Sequence, residues 1–203
     1  MCPKDYIILL HKEHLVETNG YGCTHTKSDC LQPTDIILNY CSGKQSCSVY
    51  FPETKIARCR NEYADLLDFE YQCVPTSPLD NNVKTYTCDD KTVSDVFNGF
   101  VQSPKYPEHS YGLDCILTIK PPKNYAFRFY LIDLSLRNTD KDSCNMDFLL
   151  IDKVPFCLSS PATYAYFSND SNPVDIRYKS LAQQQAQYNS SARGFKLYFE
   201  GTI

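Results

Sequence analysis

Eleven cysteines in a chain of 203 residues constrain this sequence more than any other feature. None of them forms a Cys-x-x-Cys step, and the closest pair is Cys41 and Cys47. Structural zinc sites usually bring at least one ligand pair two to four residues apart. The cysteines therefore read as disulfide partners made in an oxidising compartment. Seven lie between Cys2 and Cys73 and four between Cys88 and Cys157. Val74-Pro-Thr-Ser-Pro-Leu-Asp-Asn-Asn82 separates the two sets, and its proline and small polar residues give a core nothing to bury. The expected organisation is a domain over 1–75, a linker over 76–86 and a second domain over 87–203.

Short β-branched and aromatic segments dominate the rest. Tyr6-Ile-Ile-Leu-Leu10, Ile116-Leu-Thr-Ile119, Ala126-Phe-Arg-Phe-Tyr-Leu-Ile132, Phe148-Leu-Leu-Ile151 and Phe195-Lys-Leu-Tyr-Phe199 have strand length and strand composition. Pro121-Pro122 and Asn169-Asp-Ser-Asn-Pro173 punctuate them as turns. In the first domain, Ser28 to Leu38 and Glu62 to Leu67 are each expected to hold a short helical turn. Gln183 to Gln187 reads as a polar loop. The fold class is mainly β: a small disulfide-bonded α/β domain followed by an antiparallel β-sandwich.

In the first domain three segments stand together: Gly20-Tyr-Gly22, Cys41-Ser-Gly-Lys-Gln-Ser-Cys47 and Asp68-Phe-Glu-Tyr-Gln-Cys73. Gly43 suits the tight loop between Cys41 and Cys47. Cys2 and Cys73 bracket the domain, and a bridge between them would remove about 4 kcal/mol of unfolded-chain entropy. With Cys2-Pro3 in front, these segments resemble the rhamnose- or galactose-binding lectin domain that also opens latrophilin-type adhesion receptors. The resemblance implies Cys2–Cys73, Cys30–Cys59 and Cys41–Cys47 pairing, and it leaves Cys23 without its family partner. It also implies a sugar site, from which this sequence departs. Cys23 stands where the family has arginine after Tyr-Gly, Ala57-Arg58 replace Asp-Pro, and the family lysine falls on Ala64 or Asp65. Asn19, Tyr21 and Gly22 remain, so the expected state is a vestigial sugar site.

The second domain carries Cys88, Gly99-Phe-Val-Gln-Ser-Pro-Lys-Tyr-Pro107, Cys115, Cys144-Asn-Met-Asp147, Phe156-Cys157 and Gly194-Phe-Lys-Leu-Tyr198. It resembles a CUB domain. That likeness implies Cys88–Cys115 and Cys144–Cys157 bridges, and in many members a calcium ion held by one Glu and two Asp. Asp147 matches one aspartate; Arg137 stands at the glutamate and Leu181 at the last aspartate. Calcium takes about six to eight oxygen ligands. Asp140 and Asp142 read as a solvated acidic loop, so no cofactor is expected and Asp147 is at best a weak metal candidate.

Enzyme chemistry has little to work with. The spacing of His11 and His14 does not match a one-turn zinc pair, and the seven glycines form no phosphate-cradling or nucleophile-elbow motif. A net charge of −4 with scattered lysines and arginines excludes nucleic acid as the expected partner. No run reaches the roughly 20 apolar residues of a membrane-spanning helix. Met1 is followed at once by Cys2 and Pro3, so no export leader is legible; an oxidised chain without one is expected to be trimmed from a longer protein. Asn169-Asp-Ser171 and Asn189-Ser-Ser191 match the N-glycosylation pattern. The sequence reads as a secreted or cell-surface recognition module that is not an enzyme and binds an extracellular protein. Its 16 tyrosines and 11 phenylalanines supply contact anchors. A carbohydrate-binding lectin is the rival, and a passive spacer the third reading. Cys23 has three open fates: a free thiol, a bridge to an upstream cysteine, or a bridge to a second chain, with the disulfide-linked homodimer favoured.

Overall fold

The apolar run at Tyr6–Leu10 opens a strand that runs well beyond it, β1 (Tyr6–Glu17). Ile7, Ile8, Leu9 and Leu10 are all buried, as in a strand covered on both faces. The His11-Lys-Glu-His14 stretch lies inside β1 rather than after it, and its Glu13 is buried. The computed structural model describes residues 1–18, 26–34, 36–50, 53–59, 63–78, 83–137, 144–160, 162–168, 171–182 and 191–203. The chain divides into two units, Met1–Val74 and Pro75–Ile203.

In the first unit β1 is flanked by β2 (Cys30–Pro33) and β3 (Leu66–Pro75). The helical expectations here need correction. Residues 30–33 form a strand antiparallel to β1, and the helix α1, Ile36–Cys41, begins only at the end of the expected span and runs beyond it. Leu66 already belongs to β3, and Tyr63 bridges to Lys55. The cause of the shifted helix is tertiary: the Glu13 carboxylate accepts from the backbone amides of Ile37 at 2.7 Å and Leu38 at 3.0 Å. Two of the donors that a helix N-terminus leaves orphaned are thereby met. Past α1 the chain turns through Gly43, whose φ of 87° suits glycine, and returns along β1. Cys2, Ile8, Leu10, Ile37 and Cys41 form one core cluster; Leu15, Ile56 and Ala64 form another. Disulfides join Cys2 to Cys73, Cys30 to Cys59 and Cys41 to Cys47.

The second unit contains β4 (Lys84–Tyr86), β5 (Thr92–Ser94), β6 (Asn98–Gln102), β7 (Asp114–Lys120), β8 (Ala126–Ser135), β9 (Asp147–Ile151), β10 (Val154–Phe156), β11 (Thr163–Phe167), β12 (Val174–Ser180) and β13 (Gly194–Thr202). They make two five-stranded sheets, β10-β9-β12-β7-β5 and β11-β8-β13-β6-β4. Two edge pairs, β4 with β6 and β5 with β7, are parallel, so the sandwich is mixed rather than purely antiparallel. β4 also falls within 76–86, the span expected as linker. Inward residues alternate along the strands, for example Val174, Ile176, Tyr178 and Ser180 on β12. The core holds Leu117, Ile119, Phe127, Phe129, Leu131, Ile151, Leu197 and Phe199, with the Phe127 and Phe199 rings edge to face at 5.2 Å. Gly194 opens β13 at φ 97°, where a Cβ would collide with the Ser103 hydroxyl. Cys88–Cys115 and Cys144–Cys157 staple the unit.

Candidate functional site

Alternation places Asp147, the first residue of β9, and Ser180, the last of β12, at inward-pointing positions directly opposite one another. Polar side chains there must be satisfied from inside the sandwich end. Arg137, just past β8, supplies most of what Asp147 needs. Its Nε donates to Oδ1 at 3.1 Å and Oδ2 at 2.9 Å, and its Nη2 donates to Oδ1 at 2.6 Å and to the Leu181 carbonyl at 2.7 Å. The backbone amides of Arg137 and Leu181 also donate to the carboxylate, at 3.2 and 3.3 Å. The two side chains are 2% and 0% exposed. Buried charges persist when paired and hydrogen-bonded, and this pair is both. The hydrogen bonds to Asp147 hold the guanidinium above its ordinary pKa, against the opposing effect of burial.

The segment between β6 and β7 closes over this pair. At the Ser103-Pro-Lys-Tyr-Pro107 turn the Tyr106–Pro107 bond is cis and Lys105 has φ 63°. The Tyr106 hydroxyl donates to Asp133 Oδ2 at 2.8 Å, and Arg193 clamps the same carboxylate with two bonds. Burial first, and then that bond to Asp133, push the Tyr106 hydroxyl up to about 12. Further along, the Ser110 hydroxyl donates to the Pro104 carbonyl, and Ser180 Oγ donates to the Ser110 carbonyl at 2.7 Å. These bonds fix His109 and Tyr111 beside the ion pair. Arg137 stacks on the Tyr111 ring at 4.9 Å, and His109 meets that ring edge-on at 4.6 Å. His109 Nε2 lies 3.3 Å from Asp147 Oδ2, yet neither ring nitrogen makes a well-aligned hydrogen bond among the described residues. Burial holds the imidazole below its ordinary pKa; Asp147 works against that shift and Arg137 adds to it.

The side chains of this cluster do not suit calcium. The Asp147 carboxylate is already occupied by a buried guanidinium, and a dication placed beside it would meet the positive charge of Arg137. Leu181 contributes only backbone atoms. Among the described residues no group of three or more His, Cys, Asp or Glu side chains stands ready for a metal ion. Asn19, Tyr21, Gly22, Cys23, Asp140, Asp142, Asn169 and Asn189, together with the Gln183–Gln187 stretch, lie outside the described residues. Sequence reasoning missed Glu13, His109 and Tyr111. Their roles depend on partners from other strands, and the one local signal is the placement of His109 and Tyr111 directly after the Tyr-Pro turn.

The fold and site define a disulfide-stapled, mainly β chain whose second unit is a two-sheet sandwich with a buried Arg–Asp pair at one end. No family profile matches the sequence, and no curated protein matches it. Solved structures do resemble it. The CUB2 domain of MASP-1 bound to Ca2+ is 17% identical, over 54% of this chain and 96% of that one, with a TM-score of 0.44. The CUB1-EGF-CUB2 domain of human MASP-1/3 is 14% identical, over 98% of this chain and 90% of that one, at 0.46. The full extracellular region of zebrafish Gpr126/Adgrg6 is 18% identical, over 55% of this chain and 14% of that one, at 0.43.

Proposed function

We propose that this chain is an extracellular recognition module, a lectin-like unit followed by a CUB-like unit, that binds a protein partner without catalysis, calcium or sugar. The observation that carries the reading is the set of five disulfides on two strand-rich units. Bridges of this kind form and persist outside the reducing cytosol. The buried cluster at Asp147 supports the calcium-free part, because the cation at that carboxylate is the chain's own Arg137. The same cluster offers no nucleophile activated by a base: His109 faces Asp147 and Tyr111, and the neighbouring Ser110 hydroxyl is committed to the Pro104 carbonyl. The lectin alternative rests on Asn19, Tyr21 and Gly22 alone, too few convergent hydrogen-bonding groups to fix a sugar. Isothermal titration with galactose and with rhamnose at high concentration is expected to show no saturable heat. Saturable heat with either sugar, matched by glycan-array binding that the free sugar inhibits, would favour the lectin.

A further inference from the structure

Alternation along β13 turns Lys196 away from the core residues Phe195 and Leu197. It stands across from Gln102 on β6 and Asp133 on β8. The side chain is half-buried, with its ammonium 5.1 Å from the centre of the Phe100 ring and 5.8 Å from that of Tyr106. Both rings attract a cation and so favour one arrangement of the long stem. Three arginines of this unit are matched: Arg137, Arg177 and Arg193 each have a carboxylate at 2.6 or 2.7 Å. Lys196 has no such partner among the described residues. Asp133 acts on it from farther off, because both carboxylate oxygens already accept from Arg193 and one accepts from Tyr106 as well. Burial holds the ammonium below its ordinary pKa, the sign of a charge taken from water without full compensation. Two cations thus share one carboxylate.

We propose that Lys196, backed by Arg193 and flanked by Tyr106, is the contact point for a glutamate side chain of the partner protein. The glutamate carboxylate completes the pairing that Asp133 does not supply, and its methylenes lie against the half-buried Tyr106 ring. The site is organised before anything binds. Tyr106 is fixed by its bond to Asp133 at 2.8 Å, and Asp133 is fixed by Arg193, whose side chain remains 51% exposed. Charge complementarity selects the occupant. A basic or neutral side chain would leave two cations with one carboxylate, and a bare inorganic anion has no methylenes to set against the ring. The inference deepens the protein-recognition reading and rests on it.

The test follows the lysine side-chain NMR signals of the whole chain. Two capped tripeptides, with glutamate or glutamine between alanines, are titrated in at fixed ionic strength. The Lys196 signal is expected to shift saturably with the glutamate peptide, which binds about tenfold tighter than its glutamine twin. In calorimetry Lys196→Gln is expected to cut that preference to about twofold or less. Lys153→Gln, an exposed change in the turn between β9 and β10, is expected to leave it unchanged. Equal binding of the two peptides, saturation by neither, or saturation without a shift at Lys196 would each overturn the proposal. So would a preference that survives Lys196→Gln, or displacement of the glutamate peptide by equimolar inorganic sulfate. If the peptides fail while the chain still binds protease-sensitive receptors on cells, this contact is rejected and the recognition reading stands; if the cells are not bound either, both fall.

Discussion

Arg137 and Asp147 bind each other through three side-chain hydrogen bonds in a nearly waterless setting. Removing one partner of such a pair leaves an uncompensated buried charge. Arg137→Met is therefore expected to cost about 3–5 kcal/mol in urea-induced unfolding of the second unit. The double change Arg137→Met with Asp147→Leu is expected to recover most of that loss, since both charges are gone. Equal destabilisation by the single and double variants would show that packing, not charge, sets the cost. His109 supplies a pH dependence whose sign is fixed by its surroundings. Its folded pKa lies below the ordinary value of 6.5, so below that pH the unfolded chain takes up a proton that the folded one refuses. The stability it contributes is full above 6.5 and declines as the pH falls toward its folded pKa. Thermal melts are expected to drop across that window in wild type, and His109→Gln is expected to flatten the curve. An unchanged curve in His109→Gln would remove His109 as the cause. Arg137 was legible from sequence as a charge hostile to calcium. That its guanidinium takes the cation's place at Asp147, and that His109 and Tyr111 enclose it, depends on the β6–β7 segment returning over the sandwich end, which no local pattern encodes.

At the scale of elements, the strands clearest in sequence are short runs rich in β-branched, leucine and aromatic residues. β7, β8, β9 and β13 contain Ile116–Ile119, Ala126–Ile132, Phe148–Ile151 and Phe195–Phe199 within their bounds. β1 extends past the apolar run, which His11, Lys12 and Glu13 break in the sequence although Glu13 itself is buried. The same residue explains the displaced helix: α1 begins where a carboxylate from another strand can meet its first amides. Glu13→Ala is accordingly expected to destabilise the first unit by about 1–3 kcal/mol, the cost of leaving buried amide donors unmet, and Glu13→Gln by less. The check is chemical denaturation of both variants, and a neutral Glu13→Ala would contradict the capping role. The parallel edge strands β4 and β5 were missed because three-residue strands carry no readable period.

The whole molecule is two disulfide-stapled units, Met1–Val74 and Pro75–Ile203, with Cys2–Cys73 closing the first and Cys88–Cys115 tying the start of the second. The division into two units was legible because the cysteines cluster on either side of a proline-rich stretch, while the partner is not legible because exposed side chains follow no period. Ten of the cysteines are accounted for by five bridges, and Cys23 is the eleventh. We expect a covalent homodimer through Cys23: wild type should run as a dimer in non-reducing electrophoresis and Cys23→Ser as a monomer, whereas a wild-type monomer rules the dimer out. The central claim, protein recognition without sugar or calcium, is tested most directly by binding the labelled chain to a panel of live cells. Binding is expected to persist in chelator and in excess galactose or rhamnose, and to vanish after mild proteolysis of the cell surface. Binding that survives proteolysis, or that chelator or free sugar abolishes, would contradict the account.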